Sequence, residues 1–147
     1  MNAGRIQRAI HFLERKIPPG HFDMHGCIEM DIADPTPDRI MGRMVQLTAG
    51  ESDGTTLADF HGWLPVIFPQ TFQYLVIGGE IKVVRQGTKP RELGYLRAAQ
   101  FLGLQSVAVF LAETYEFDEV TPVDVADFLL QTLKRDVGNE RRSSCDH

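Results

Sequence analysis

The segment FQYLVIGGEIKVVR, residues 72–85, constrains the fold more than any other part of the chain. β-branched and aromatic residues fill both halves, and Gly78-Gly79 between them can supply the positive φ angles of a tight hairpin turn. The spacing therefore predicts an antiparallel hairpin. An isolated two-stranded ribbon is marginal in water, so one face must be covered by other elements.

Helical periodicity supplies that cover. Ile6, Ile10, Leu13 and Ile17 recur at helical spacing until Pro18-Pro19-Gly20 stops the pattern. Leu93, Leu96, Ala99 and Leu102 form a second stripe, closed by Gly103 as a left-handed cap, and another short helix is expected from Ser106 to Thr114. The last helix has Thr121 as N-cap, Pro122 in its first position, Asp124 in its first turn and Val120 with Val125 as a staple, with Gly138 as its end. Between these elements, CIEMDIA (27–33) alternates as a strand does, while DRIMGRMVQL (38–47) reads equally well as helix or strand. Thr55 or Thr56 can cap a short helix through Leu57, Phe60 and Leu64 that Pro65 interrupts, and Trp63 is expected in the core. The fold expected is α+β: one mostly helical domain over residues 1–138, with a small antiparallel sheet around the 72–85 hairpin and the C-terminal helix packed across it. Residues 139–147 offer no apolar anchor and are expected to be a mobile tail.

At 147 residues, 43% hydrophobic and 24% charged, the chain can close a core unaided. No apolar run approaches the roughly 18 residues that cross a bilayer. The first segment lacks the apolar stretch of a signal peptide, and Cys27 and Cys145 imply no disulfide framework, so the cytoplasm is the expected compartment.

A net charge of −5 argues against general binding to a phosphate backbone, which depends on lysine and arginine. The charge is also unevenly placed. No basic residue lies between Arg97 and Lys134, where Glu113, Glu116, Asp118, Glu119, Asp124 and Asp127 gather. Such a run is either a solvated face or a surface that docks a partner protein, and Phe110 could add an apolar edge to it.

Two chemistries can be drawn around the loop from His21 to Cys27. His21, His25, Cys27 and His61 together offer the nitrogen and sulfur donors of a closed zinc site, although H-x3-H-x-C is no established zinc spacing. Alternatively, Cys27 could act as a nucleophile with His61 as base and Asp59 or Asp23 orienting it. The plain alternative to both is a loop of hydrogen-bonded histidines with a structural thiol. Residues 98–112 follow helix-turn-helix spacing, but the second helix would bring no arginine or lysine to a DNA groove.

FDM at residues 22–24, GTT at 54–56 followed by Gly62-Trp63, LGL at 102–104 and the TPVDVA helix start at 121–126 resemble a loose family of small uncharacterised bacterial and phage proteins. The resemblance touches about two thirds of the chain. It departs at Asp53, where that family tends to carry cysteine, and in a GTT-to-GW spacing one residue longer. It implies an accessory gene of the kind carried by phages and mobile elements, and no activity.

The function expected is that of a small acidic accessory or regulatory protein that binds another protein, with an inhibitor of host nucleic-acid machinery as one form of it. The alternatives are a metal- or cysteine-dependent enzyme centred on the His21–Cys27 loop, a helix-turn-helix-like nucleic-acid binder, and a structural subunit, which predicts a homo-oligomer.

Overall fold

The computed structural model describes residues 2–89, 94–116 and 119–145, with side chains as far as Asp136. In chain order the elements are α1 (Ala3–Arg15), β1 (Ile28–Glu29), α2 (Pro37–Thr48), β2 (Leu57–Ala58), α3 (Phe60–Ile67), β3 (Phe72–Ile77), β4 (Glu80–Arg85), α4 (Gly94–Leu102) and α5 (Pro122–Cys145). Short 3-10 turns at Ala108–Phe110 and Ala112–Thr114 connect the last two helices. The protein is α+β, and its described residues form two antiparallel sheets of two strands each. Among the described residues no helix is long and apolar enough to cross a membrane.

The hairpin forms in the expected register, from Phe72 opposite Arg85 to Ile77 opposite Glu80. Gly78 and Gly79 turn it with φ of 59° and 82°. Its covered face presents Phe72, Tyr74 and Val83 to the core.

The helix beside it, α3, is the centre of the molecule. Phe60, His61, Gly62, Trp63, Leu64, Pro65 and Ile67 are all buried, as expected of a helix packed on every side. It starts later than Thr55 or Thr56 would place it, because Asp59 is the cap and accepts from the Gly62 amide at 2.7 Å. Pro65 does not interrupt it. The missing proline N–H gives up one bond to the carbonyl a turn earlier, and packing around the helix outweighs that loss. Trp63 is fully buried, and its indole N–H donates to the His21 carbonyl at 3.2 Å.

Residues 38–47, ambiguous in sequence, lie within helix α2, because Thr36 accepts from the Arg39 amide and Pro37 fixes the first helical position. Helix α4 ends as the sequence predicts: Gly103 has φ of 74°, its amide bonds to Gln100 and the Leu104 amide bonds to Ala99.

Several expectations are corrected. The 27–33 strand is reduced to Ile28–Glu29, paired with Leu57–Ala58. No α-helix follows Gly103 over 106–114; only the two 3-10 turns form, so the helix-turn-helix pattern is not realised. Helix α5 continues through Gly138 to Cys145, and its main neighbour is α1 rather than the hairpin. Ile6, Ala9 and Leu13 of α1 and Val125, Ala126 and Leu129 of α5 share the same buried core.

Candidate functional site

The buried polar side chains gather around the start of α3: His21, Thr56, Asp59 and His61 are each at most 4% exposed. Main-chain pairing brings Cys27 to the same place. The Asp59 amide donates to the Cys27 carbonyl at 3.1 Å, and the Gly62 Cα faces that same oxygen. This juxtaposition sets the Cys27 Sγ 3.3 Å from the Nδ1 of His61.

The His61 ring is held on its remaining sides by aromatic edges. Tyr95 meets it at 4.9 Å between centroids and Phe110 at 5.8 Å, both nearly perpendicular. Gly94 packs against the Cε1–Nε2 edge so tightly that a Cβ there would approach Cε1 to 2.9 Å. Nε2 is buried with no hydrogen-bond partner among the described residues.

Burial governs the protonation of the group. It lowers the His61 pKa to about 4, against a smaller opposing effect from the Gly94 backbone. It pushes the Cys27 thiol well above its usual range, aided by the nearby Asp59 and opposed by Lys82. It raises Asp59 to about 7 despite hydrogen bonds from the Gly62 amide, the Tyr95 hydroxyl and the His61 amide. The resting pair is therefore a neutral thiol beside a neutral imidazole, one donating to the other.

Of the expected nucleophilic triple, the structure brings together only two members. Asp59 uses Oδ1 to cap α3 and Oδ2 to accept from the Tyr95 hydroxyl at 3.2 Å, so it does not hold the imidazole. Asp23 accepts from the His25 amide at 2.9 Å. Tyr95 is the residue that the sequence reading missed, since nothing in its local pattern sets it apart.

The four expected zinc ligands do not converge. His21 bonds the Thr56 carbonyl at 2.8 Å and the Ser52 hydroxyl at 2.9 Å, while His25 is exposed. Among the described residues no three His, Cys, Asp or Glu side chains form a ligand group.

The acidic residues divide. Glu113, Glu116, Glu119 and Asp127 are exposed. Asp124 is half-buried and committed to the α5 cap, where it accepts from the Thr121 amide at 2.8 Å and hydroxyl at 3.0 Å. Asp118 lies outside the described residues. Among the described residues the salt bridges are Arg43–Asp53 and Lys82–Glu80, with the His21 ring 3.9 Å from Asp53, and none of these contacts involves this set. The Arg85 guanidinium lies over the Phe101 ring, and Arg97 donates to Gln100 as one of its contacts. Phe110 is no surface edge. It is 1% exposed and stacked between Phe60 and Tyr95, because the 3-10 turn directs its ring into the core.

Comparison of the chain with family models, with curated proteins and with solved structures gives no match in any of the three.

Proposed function

We propose that the protein is a small acidic accessory or regulatory factor that works by binding another protein through the face carrying Glu113, Glu116, Glu119 and Asp127. The observation that carries this reading is that these carboxylates are exposed and, among the described residues, joined to no cation. Exposed carboxylates attract a basic surface over roughly a Debye length, about 8 Å at physiological salt. A basic groove of a nucleic-acid-handling protein is one such surface, and the reading includes an inhibitor that competes for it.

Capture of partners from the native host by the full chain, against a Glu113→Lys, Glu116→Lys, Glu119→Lys variant, tests the reading. Selective loss of bound proteins from the variant supports it. An unchanged set of bound proteins overturns it.

The 3.3 Å contact between Cys27 and His61 favours a second reading, a thiol–imidazole catalytic site. Cys27 lines a hollow of about 530 Å3 that Glu29 and Lys82 also border. Against that reading stand the neutral state of both groups and, among the described residues, the absence of a carboxylate on the imidazole.

A further inference from the structure

Between the C-terminal end of α1, the loop that follows it and the first turn of α5 lies an open groove of about 650 Å3. Its floor is apolar, built by Leu13, Ile17, Phe22 and Val120, and Val123 stands half-exposed beside it. Among the described residues, the acidic side chains in its lining are Glu14, Asp23 and Glu119, His25 stands with them, and neither lysine nor arginine lines it. The size is that of a site for a few side chains.

The helix ends leave the sign of the occupant to the side chains. The C-terminal end of α1 borders the groove, but Arg15 in its last turn and Lys16 at its cap offset the partly negative charge of that end. Helix α5 presents its N-terminus, which would invite an anion, but that end is already closed. The Thr121 hydroxyl accepts from the Asp124 amide, and the Asp124 carboxylate accepts from Thr121 in return. What remains open is an apolar floor under an acidic rim.

We infer that this groove docks a cationic segment of a partner protein: a lysine or arginine reaches the Glu14, Asp23 and Glu119 carboxylates while an adjacent leucine, isoleucine or phenylalanine covers Leu13, Ile17, Phe22 and Val120. The inference rests on the protein-binding reading above and names the partner's chemistry. Charge supplies the steering and the apolar anchor supplies the residence time, a division common in peptide recognition.

The test selects random linear peptides displayed on phage against the full chain, then measures the enriched peptides by fluorescence anisotropy. The expected result is enrichment of lysine or arginine next to a large apolar residue. Binding should fall at least about tenfold in a Glu14→Lys, Glu119→Lys variant and far less in a Glu113→Lys, Asp127→Lys variant. All four positions are exposed, so thermal melts of both variants should match the parent chain. No enrichment, enrichment without basic residues, or equal binding to the groove variant would overturn the inference. If only the Glu113→Lys, Asp127→Lys variant loses binding, the groove is excluded while the acidic-face reading stands. If neither variant loses binding, both fall.

Discussion

The Cα of Gly62 faces the main-chain carbonyl of Cys27 so closely that a Cβ there would lie 2.0 Å from the oxygen and 2.8 Å from the Ala58 Cβ. Only glycine allows the 27–29 segment to lie against α3 and so place the thiol beside the imidazole. Gly62→Ala must push the two apart, and should cost about 3 kcal/mol or prevent folding. Gly42 is the opposite case: it lies inside α2 with nothing within 4 Å of a built Cβ. Gly42→Ala should stabilise by about 0.5–1 kcal/mol through helix propensity and lost unfolded-state freedom. Urea unfolding of the two variants reads both effects, and equal midpoints would contradict the packing described.

Asp59 and His61 make opposite contributions to the pH dependence of stability. Asp59 is raised from 3.8 to about 7, so between those values the folded chain keeps a proton that the unfolded chain releases. Raising the pH through that window weakens the fold. His61 is lowered from 6.5 to about 4, so the folded chain lacks a proton that the unfolded chain binds, and raising the pH through that window strengthens it. Each slope is bounded by about 1.4 kcal/mol per pH unit, so they largely cancel where they overlap. Asp59→Asn should leave stability rising from about pH 4.5 to 6.5, and His61→Gln should leave it falling, each by about 1 kcal/mol per unit. Urea midpoints across that range decide the matter. Parallel curves for both variants would refute the assignment.

The hairpin, α1, the start of α5 and the end of α4 were legible because each carries its own local signal: alternation around Gly78-Gly79, a helical stripe, a Thr-Pro-x-Asp start, a Gly103 stop. Residues 38–47 stayed open between helix and strand because Thr36-Pro37, which starts α2, sits in an Asp34-Pro35-Thr36-Pro37 run that reads as a turn. What could not be read is decided by packing. Pro65 is held in α3 by neighbours on every side, and Phe110 turns inward between Phe60 and Tyr95. The meeting of Cys27 with His61 depends on a two-residue strand pairing and on Gly62, and Tyr95 arrives from a helix distant in sequence. Single-chain periodicity holds no record of such contacts.

Cys27 should be a slow thiol. Burial foremost, with the Asp59 charge, holds it protonated, and the neutral His61 is a weak base. In a Cys145→Ser background, iodoacetamide at neutral pH should label native Cys27 at least about tenfold more slowly than the urea-unfolded chain. Mass spectrometry of timed samples gives both rates. Faster labelling in the native state would mean that the imidazole generates thiolate, and would place the catalytic reading ahead of the binding one.

Asp53 anchors the loop before β2 through more bonds than its position in a GESDG turn suggests. It accepts from the amides of Thr55 and Thr56 at 3.0 and 2.9 Å, from the Thr56 hydroxyl, and from Arg43 at 2.9 Å. Partial burial would raise its pKa, but the bonds from Thr56, Thr55 and Arg43 outweigh it and hold the carboxyl well below the usual range. Asp53→Ala leaves the fully buried Thr56 without these acceptors and should cost about 2 kcal/mol, whereas Asp53→Asn retains an acceptor oxygen and should cost about half as much. Because the folded pKa is depressed, the carboxylate's stabilisation is complete above the unfolded value and is lost as the pH falls through the folded one. The stability gap between the parent chain and Asp53→Ala should therefore be constant above about pH 5 and narrow below about pH 4. A gap that stays constant into acid would mean that the loop is held by its neutral contacts alone.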